Sequence, residues 1–319
     1  MVQQLGFEGM PRRLYPCTPS RLRAWLDCPR RYRMTYLDRP PPRKGPPWAH
    51  NSLGASVHNA LAGWWRLKRT ERTPEAAAGL LERGWITEGF ADDAQSAEYL
   101  RRSKTMVERY VARLDPACEP AGIERTVATK TDLIAISGRI DRLDDRPAGG
   151  VAALEEPGPA RRELVVVDYK TGRGRLSTDD ARSSLALALY ALAAGHVLRR
   201  PCRAVELHHL PTGEVVRWEH SSESLERQLR RAEDIAAECA AADELFRSEP
   251  LSGRSDEVFP PTPGNWCGWC DFRAQCPEGR DASALRRPWD GLADQDPAAP
   301  DFSQIVDVSR PYAAEKHPR

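Results

Sequence analysis

The stretch LVVVDYKTG, residues 164–172, runs four apolar residues into Asp168, Tyr169 and Lys170 before Thr171 and Gly172 end it. Side chains at i and i+2 of a strand share a face, so Asp168 and Lys170 project side by side. Such charges at the end of a nearly buried strand are costly unless they are paired or hold a metal. A second β-rich run, GRIDRLD (138–144), carries Asp141 and completes a D…D-x-K pattern. Two carboxylates suit a hard divalent cation such as Mg²⁺ or Mn²⁺, which takes oxygen ligands. A cation there polarises a phosphoryl oxygen and lowers the pKa of a bound water. A lysine beside it orients that water and offsets charge growing on the phosphate. The backbone carbonyl of Tyr169 is a natural extra ligand, and His58 in LGASVHNAL is the candidate nitrogen ligand. Singly, each feature has a bland reading. D-x-K recurs by chance, a helical histidine is commonly structural, and Asp141 has Arg139 and Arg142 as ion-pair partners. The joint pattern is far more specific than its parts.

A second set of ligand types lies near the end of the chain. Cys267, Cys270 and Cys276 form C-x-x-C-x5-C before Pro277, and Cys28 stands far upstream in DCPRRY. Four thiolates can bind Zn²⁺ or an iron–sulfur cluster. Zinc more often takes paired CxxC knuckles, yet composition alone leans slightly to zinc. Cys17 is the rival to Cys28, whereas Cys118, Cys202 and Cys239 lack any ligand spacing.

The elements that must position these residues follow from the pattern. The 319-residue chain suffices for one large domain, and its net charge of +1 says nothing for or against nucleic acid. From Arg12 to Lys44, however, ten basic residues face only Asp27 and Asp38. That run reads either as a solvated face or as a phosphate-contacting patch. No secretory signal opens the chain, and the apolar run at 185–198 is too short for a membrane span. The expectation is a cytoplasmic protein whose eight cysteines are not structural disulfides. Residues 1–17 read as an irregular arm. Residues 18–115 read as helical, with helices from Ser20, over 53–69 and within 74–114. Residues 116–250 read as a sheet core: IERTVAT, DLIAISG and RIDRL as short strands, a Gly/Pro loop at 145–160, the strand ELVVVDYK, an apolar helix, a hairpin through Pro211-Thr212-Gly213, and a long amphipathic helix. Residues 260–280 form a Cys-rich staple, and 281–319 read as disordered. The order argues for an α/β fold with a mixed sheet flanked by helices.

LGASVHNAL with His58, SGRIDRLD with Asp141, VVVDYKTGR with Asp168 and Lys170, LALALYALA with Tyr190 and the hairpin VELHHLPTGEVV come in the order of a known family. Over residues 20–277 the chain resembles the RecB-like branch of the PD-(D/E)xK nuclease superfamily, with its restriction-endonuclease-like core. The resemblance implies that Asp141, Asp168 and Lys170 are catalytic and that His58 completes the metal shell. Tyr190, Arg30, Arg139 and Glu124 take supporting or DNA-contacting places. The one-plus-three cysteine spacing and the context of Ser20 to Tyr32 resemble AddB-type and CRISPR spacer-acquisition nucleases. That implies a [4Fe–4S] cluster on Cys28, Cys267, Cys270 and Cys276, with structural Zn²⁺ the alternative. The implied activity is metal-dependent cleavage of single-stranded DNA or DNA ends in repair or recombination. No Walker-type phosphate loop is present, so any helicase would be a separate subunit. Two features depart from the family. Ala186 stands where a glutamine usually precedes the tyrosine by four residues, and the segment between Asp141 and Asp168 is long. The first favours the alternative of a weak or inactive DNA-binding scaffold with the same fold; the second reads as a hairpin extension.

Overall fold

The computed structural model describes residues 14–148, 162–248 and 255–292. The chain opens with strand β1 (Tyr15–Cys17) and helices α1 (Pro19–Asp27), α2 (Pro29–Tyr36), α3 (Ala49–Arg66), α4 (Pro74–Arg83) and α5 (Asp93–Val111). Strands β2 (Gly122–Lys130), β3 (Ile134–Pro147) and β4 (Arg162–Lys170) follow. After them come α6 (Thr178–Ser183), α7 (Leu185–Leu198), the hairpin β5 (Cys202–His209) and β6 (Glu214–Glu219), α8 (Ser222–Ser248), α9 (Ser255–Val258) and α10 (Pro277–Ala282).

The six strands form one mixed sheet in the order β1-β3-β4-β5-β6, with β2 on the other edge of β3. The β1–β3 and β4–β5 pairs are parallel and the others antiparallel. Strand β4 is an apolar run because both its faces are covered, as parallel pairing demands. Leu164 and Val166 lie in a core shared with α7, whereas Val165, Val167 and Tyr169 meet Val57, Leu61 and Trp65 of α3. A third core joins β1, α1, α2 and α8 around Tyr32 and Phe259. The mixed sheet between helical layers is the restriction-endonuclease-like α/β architecture expected.

Local chemistry accounts for the helix starts. Thr18, Thr73 and Asp92 cap α1, α4 and α5 by accepting backbone N–H groups, and prolines at the first turns of α1 and α4 have no amide to leave unbonded. Helix α7 is apolar on all sides because the sheet, α1 and α8 surround it.

Three elements differ from the sequence reading. The arm ends in a strand, Tyr15–Cys17, whose parallel register with Ile134–Ile136 comes from long-range pairing that three residues cannot announce. DLIAISG and RIDRL are one strand running through Gly138. The first part of the expected tail is folded: the Pro288 carbonyl accepts the Ala49 N–H, and Leu292 is buried. The rest of that tail, the arm up to residue 13 and the loop at 149–161 lie outside the described residues.

Candidate active site

The site exists because two neighbouring strands part. The β3–β4 ladder ends at Arg142↔Val167, one step short of Asp141 and Asp168. Where the next rung would stand, Asp141 Oδ2 accepts the Tyr169 N–H at 2.9 Å. In a strand the N–H and C=O of one residue point the same way, so the Tyr169 carbonyl also faces this opening. Asp168 and Lys170 project together, with Lys170 Nζ 2.7 Å from Asp168 Oδ2.

Both helical layers reach the opening. From α3, His58 Nδ1 lies 3.3 Å from Asp141 Oδ1, its ring edge-on to Tyr169 at 5.8 Å. From α7, Tyr190 covers Gly138: a Cβ there would lie 2.3 Å from Tyr190 Cε1. The glycine inside β3 is thus a requirement for this close approach. From β2 comes Glu124. Its neighbours Ile123 and Arg125 pair with Arg142 and Ile140, and Glu124 itself leaves the ladder with a left-handed φ of 47°. A non-glycine residue there costs about 1–2 kcal/mol. The turn brings its carboxylate to the site: His58, Glu124 and Asp141 each offer a ligand atom within 4.8 Å of the others. Arg139, 72% exposed, holds Glu124 at 2.8 Å.

Electrostatics divides the acids. The His58 hydrogen bond and charge, the Tyr169 amide and Lys170 together outweigh burial and hold Asp141 below the ordinary carboxylate range. Burial and the Asp141 charge push Asp168 up, against Lys170. Burial lowers His58, but the hydrogen bond and charge of Asp141, with Asp168 and Glu124, raise it overall. Burial likewise opposes charge on Lys170, yet Asp168 and Asp141 keep its pKa above the usual value. The lysine therefore stays protonated near neutral pH, suited to orienting a water or steadying a phosphate and not to removing a proton. Burial and the two aspartates push the Tyr190 hydroxyl up to about 12, so it remains a donor. Imidazole nitrogen with carboxylate and carbonyl oxygens is a donor set that fits Mg²⁺ or Mn²⁺.

Among the expected site residues, His58, Asp141, Asp168, Lys170, the Tyr169 backbone, Glu124, Arg139 and Tyr190 all gather here. Arg30 does not. It is 8% exposed, pairs with Glu278 at 2.5 Å and Asp256 at 3.5 Å, and points a guanidinium nitrogen at Cys276 Sγ from 3.9 Å. Its burial and its partners put it under the cysteine region instead of facing a substrate. Arg142, read from the sequence as a partner of Asp141, instead pairs with Asp144, and the sequence reading passed over Glu206 and His208 on the same buried face of the sheet. The available signal was their place at core-facing positions of otherwise apolar strands.

The cysteines separate into two groups. Cys28 lies near enough to influence Cys267 and Cys270 electrostatically, and Cys276 influences Cys267. The Cys28 sulfur accepts the Thr262 N–H at 3.4 Å, and the Cys276 sulfur accepts the Gly279 N–H at 3.4 Å. Cys17 is buried in the third core with Cys239, away from that group. No two of the eight cysteines are joined in a disulfide.

Among the described residues no helix is long and apolar enough to cross a membrane. A search of curated proteins found no match. A family description, PD-(D/E)XK nuclease superfamily, matches residues 16–277, which include every strand but the first residue of β1 and every residue of the site above. That match spans most of the chain and takes in the D…D-x-K set on the parted strands, and the chain belongs to the PD-(D/E)XK nuclease superfamily.

Proposed function

We propose that the protein is a metal-dependent deoxyribonuclease of the RecB/AddB type that hydrolyses phosphodiester bonds in single strands or at DNA ends. The convergence of His58, Asp141, Asp168 and Lys170 from three elements on the opening between β3 and β4 carries this reading. His58, Asp141, Asp168 and the Tyr169 carbonyl would hold Mg²⁺ or Mn²⁺, with Glu124 close enough to join them. A bound divalent cation would polarise the phosphoryl oxygen and acidify a water. Lys170, charged, orients that water and offsets the growing negative charge. Tyr190 and the exposed Arg139 face the strand backbone. The intact His58, Asp141, Asp168 and Lys170 weigh against an inactive scaffold, although Ala186 removes the polar partner usual before Tyr190. DNA repair or recombination in the cytoplasm, beside a separate helicase, is the setting this reading implies.

Cys28, Cys267, Cys270 and Cys276 would hold a [4Fe–4S] cluster. The one-plus-three cysteine spacing supports that reading, with structural Zn²⁺ the alternative.

End-labelled single-stranded DNA with Mn²⁺ or Mg²⁺, and Lys170→Ala in parallel, tests the reading. Metal-dependent degradation lost in the variant supports it, and the product ladder gives polarity. An iron-loaded wild type that cleaves nothing moves the function to the DNA-binding scaffold.

A further inference from the structure

The opening between β3 and β4 needs something to hold it at a fixed width, and the face of the sheet away from Tyr190 supplies a candidate. Arg142 and Tyr169 alternate with Asp141 and with Asp168 and Lys170, so they point into the layer of α3 and α5. Arg142 is 3% exposed, and both its terminal nitrogens are hydrogen-bonded. Its Nε and Nη2 meet the Asp144 carboxylate at 2.9 and 3.0 Å. Its Nη1 donates to the hydroxyl of Tyr169 on β4 at 3.2 Å and to that of Tyr110 on α5 at 3.3 Å. Trp65 Nε1 donates to the same Tyr169 oxygen at 3.3 Å, and the Arg142 guanidinium lies 5.1 Å from the Trp65 ring.

Behind Tyr110 the chain of bonds continues. Tyr110 OH meets His208 Nδ1 at 2.7 Å, and His208 Nε2 meets Glu206 Oε2 at 2.9 Å. Glu206 can only accept, so Nε2 carries the proton and the Tyr110 hydroxyl donates to Nδ1. Glu206 is fixed in turn by Arg146 and by Arg217 at 3.2 Å. A network of buried hydrogen bonds joined in this way restrains its members together.

We infer that Arg142, gripped by Tyr110 and gripping the Tyr169 hydroxyl, is a positioning residue that sets the spacing of Asp141 from Asp168 and the Tyr169 carbonyl. The link is short at both ends. Arg142 is the residue after Asp141, and Tyr169 lies between Asp168 and Lys170, donates its amide to Asp141 and supports the His58 ring. Groups that orient metal ligands in this way typically govern affinity and rate by about 10–100-fold. The assignment of those ligands rests on the nuclease reading.

The test uses the full-length chain, with Tyr169→Phe and Tyr110→Phe as variants that each delete one oxygen. Mn²⁺ binding is measured by calorimetry without DNA, and kcat and KM on end-labelled single-stranded DNA. Each variant should melt within a few degrees of wild type, bind Mn²⁺ about tenfold more weakly, and lose about tenfold in kcat with KM little changed. Wild-type Mn²⁺ affinity and kcat in both variants overturn the inference. So does activity lost only in step with folded protein, because the network would then merely support the core. A wild type that binds Mn²⁺ but cuts no DNA defeats the nuclease reading alone, and the calorimetric comparison still decides the positioning role. A wild type that binds no Mn²⁺ defeats both.

Discussion

The acidic site and the cysteine region are both ligand clusters, but the fold treats them oppositely. At the acidic site the sheet places the carboxylates and α3 places His58, and hydrogen bonds such as Tyr169 N–H to Asp141 fix the geometry. The cysteine ligands come from the two ends of the fold. Cys28 sits between α1 and α2 while its partners lie on short turns after residue 264. Few sheet contacts bind those turns; ion pairs such as Arg30–Glu278 and single bonds such as Gly45 N–H to the Asp271 carbonyl do. The acidic site is built by the fold; the cysteine site, on the proposed reading, helps to build it. Helix α3 joins them. Trp48 at its start donates to Asp271 Oδ1 at 3.0 Å and packs its tilted ring 5.2 Å from Trp269, and ten residues on, the helix carries His58.

The largest effect that would break this contrast is on stability at the cysteines. Cys28→Ala opens a loop of more than two hundred residues closed by the cluster. The expected loss is on the order of 5 kcal/mol, or about 10 °C in melting temperature, together with the iron. Iron content and calorimetry on anaerobically purified protein check it, and an unchanged melting point with iron retained would return Cys28 to the ordinary residues. Lys170→Ala should behave in the opposite way. Metal-dependent cleavage should fall about 10³-fold, equivalent to about 4 kcal/mol, while the melting point moves little. Asp168 can take up a proton once its cation is gone, so no unpaired charge remains buried. A large drop in melting temperature in that variant would mean that the acidic site also supports the fold.

The same contrast marks what was legible in the sequence. Period-two alternation places Asp168 beside Lys170, and the apolar run around them marks a strand covered on both faces. Cysteine spacing alone pairs Cys28 with the C-terminal triplet only through a resemblance. Less legible were features made by distant chain. Gly138 looks like a strand break until Tyr190 of α7 is found against it. Glu124 gives no local hint of its left-handed turn, because the turn is imposed by register with β3. Arg30 belongs to a basic run that reads as a phosphate patch, and only Glu278, hundreds of residues later, reveals its use. Strand periodicity is local physics, whereas these contacts need the assembled fold.

Gly138→Ala sharpens the comparison within the acidic site. The added methyl must displace the Tyr190 ring, an overpacking cost of about 1–3 kcal/mol, or several degrees in melting temperature. If Tyr190 contacts the DNA backbone, as proposed, and holds no metal, KM for DNA should rise while Mn²⁺ affinity stays near wild type. Equal losses in both would show that Tyr190 braces the acids themselves.

The smallest effect concerns protons. In the metal-free protein His58 has a raised pKa because Asp141 holds its charged form. That contribution is complete below the unfolded imidazole value of 6.5 and is lost as pH rises through the higher folded value. The elevated pKa of Asp168 has the same sign, since the folded carboxyl keeps its proton longer than the unfolded one. Metal-free protein should therefore melt a degree or two lower at pH 8.5 than at pH 6.5, and His58→Gln should remove part of that slope. Mn²⁺ binding must run the other way, tightening over the same window as His58 gives up its proton to become a ligand. Calorimetry across that range, for wild type and His58→Gln with and without Mn²⁺, reads both slopes. A difference between the two proteins that is flat with pH would detach His58 from the site. Opposed slopes would tie one imidazole to two tasks, an ion pair that holds Asp141 in place before the metal arrives and a ligand afterwards.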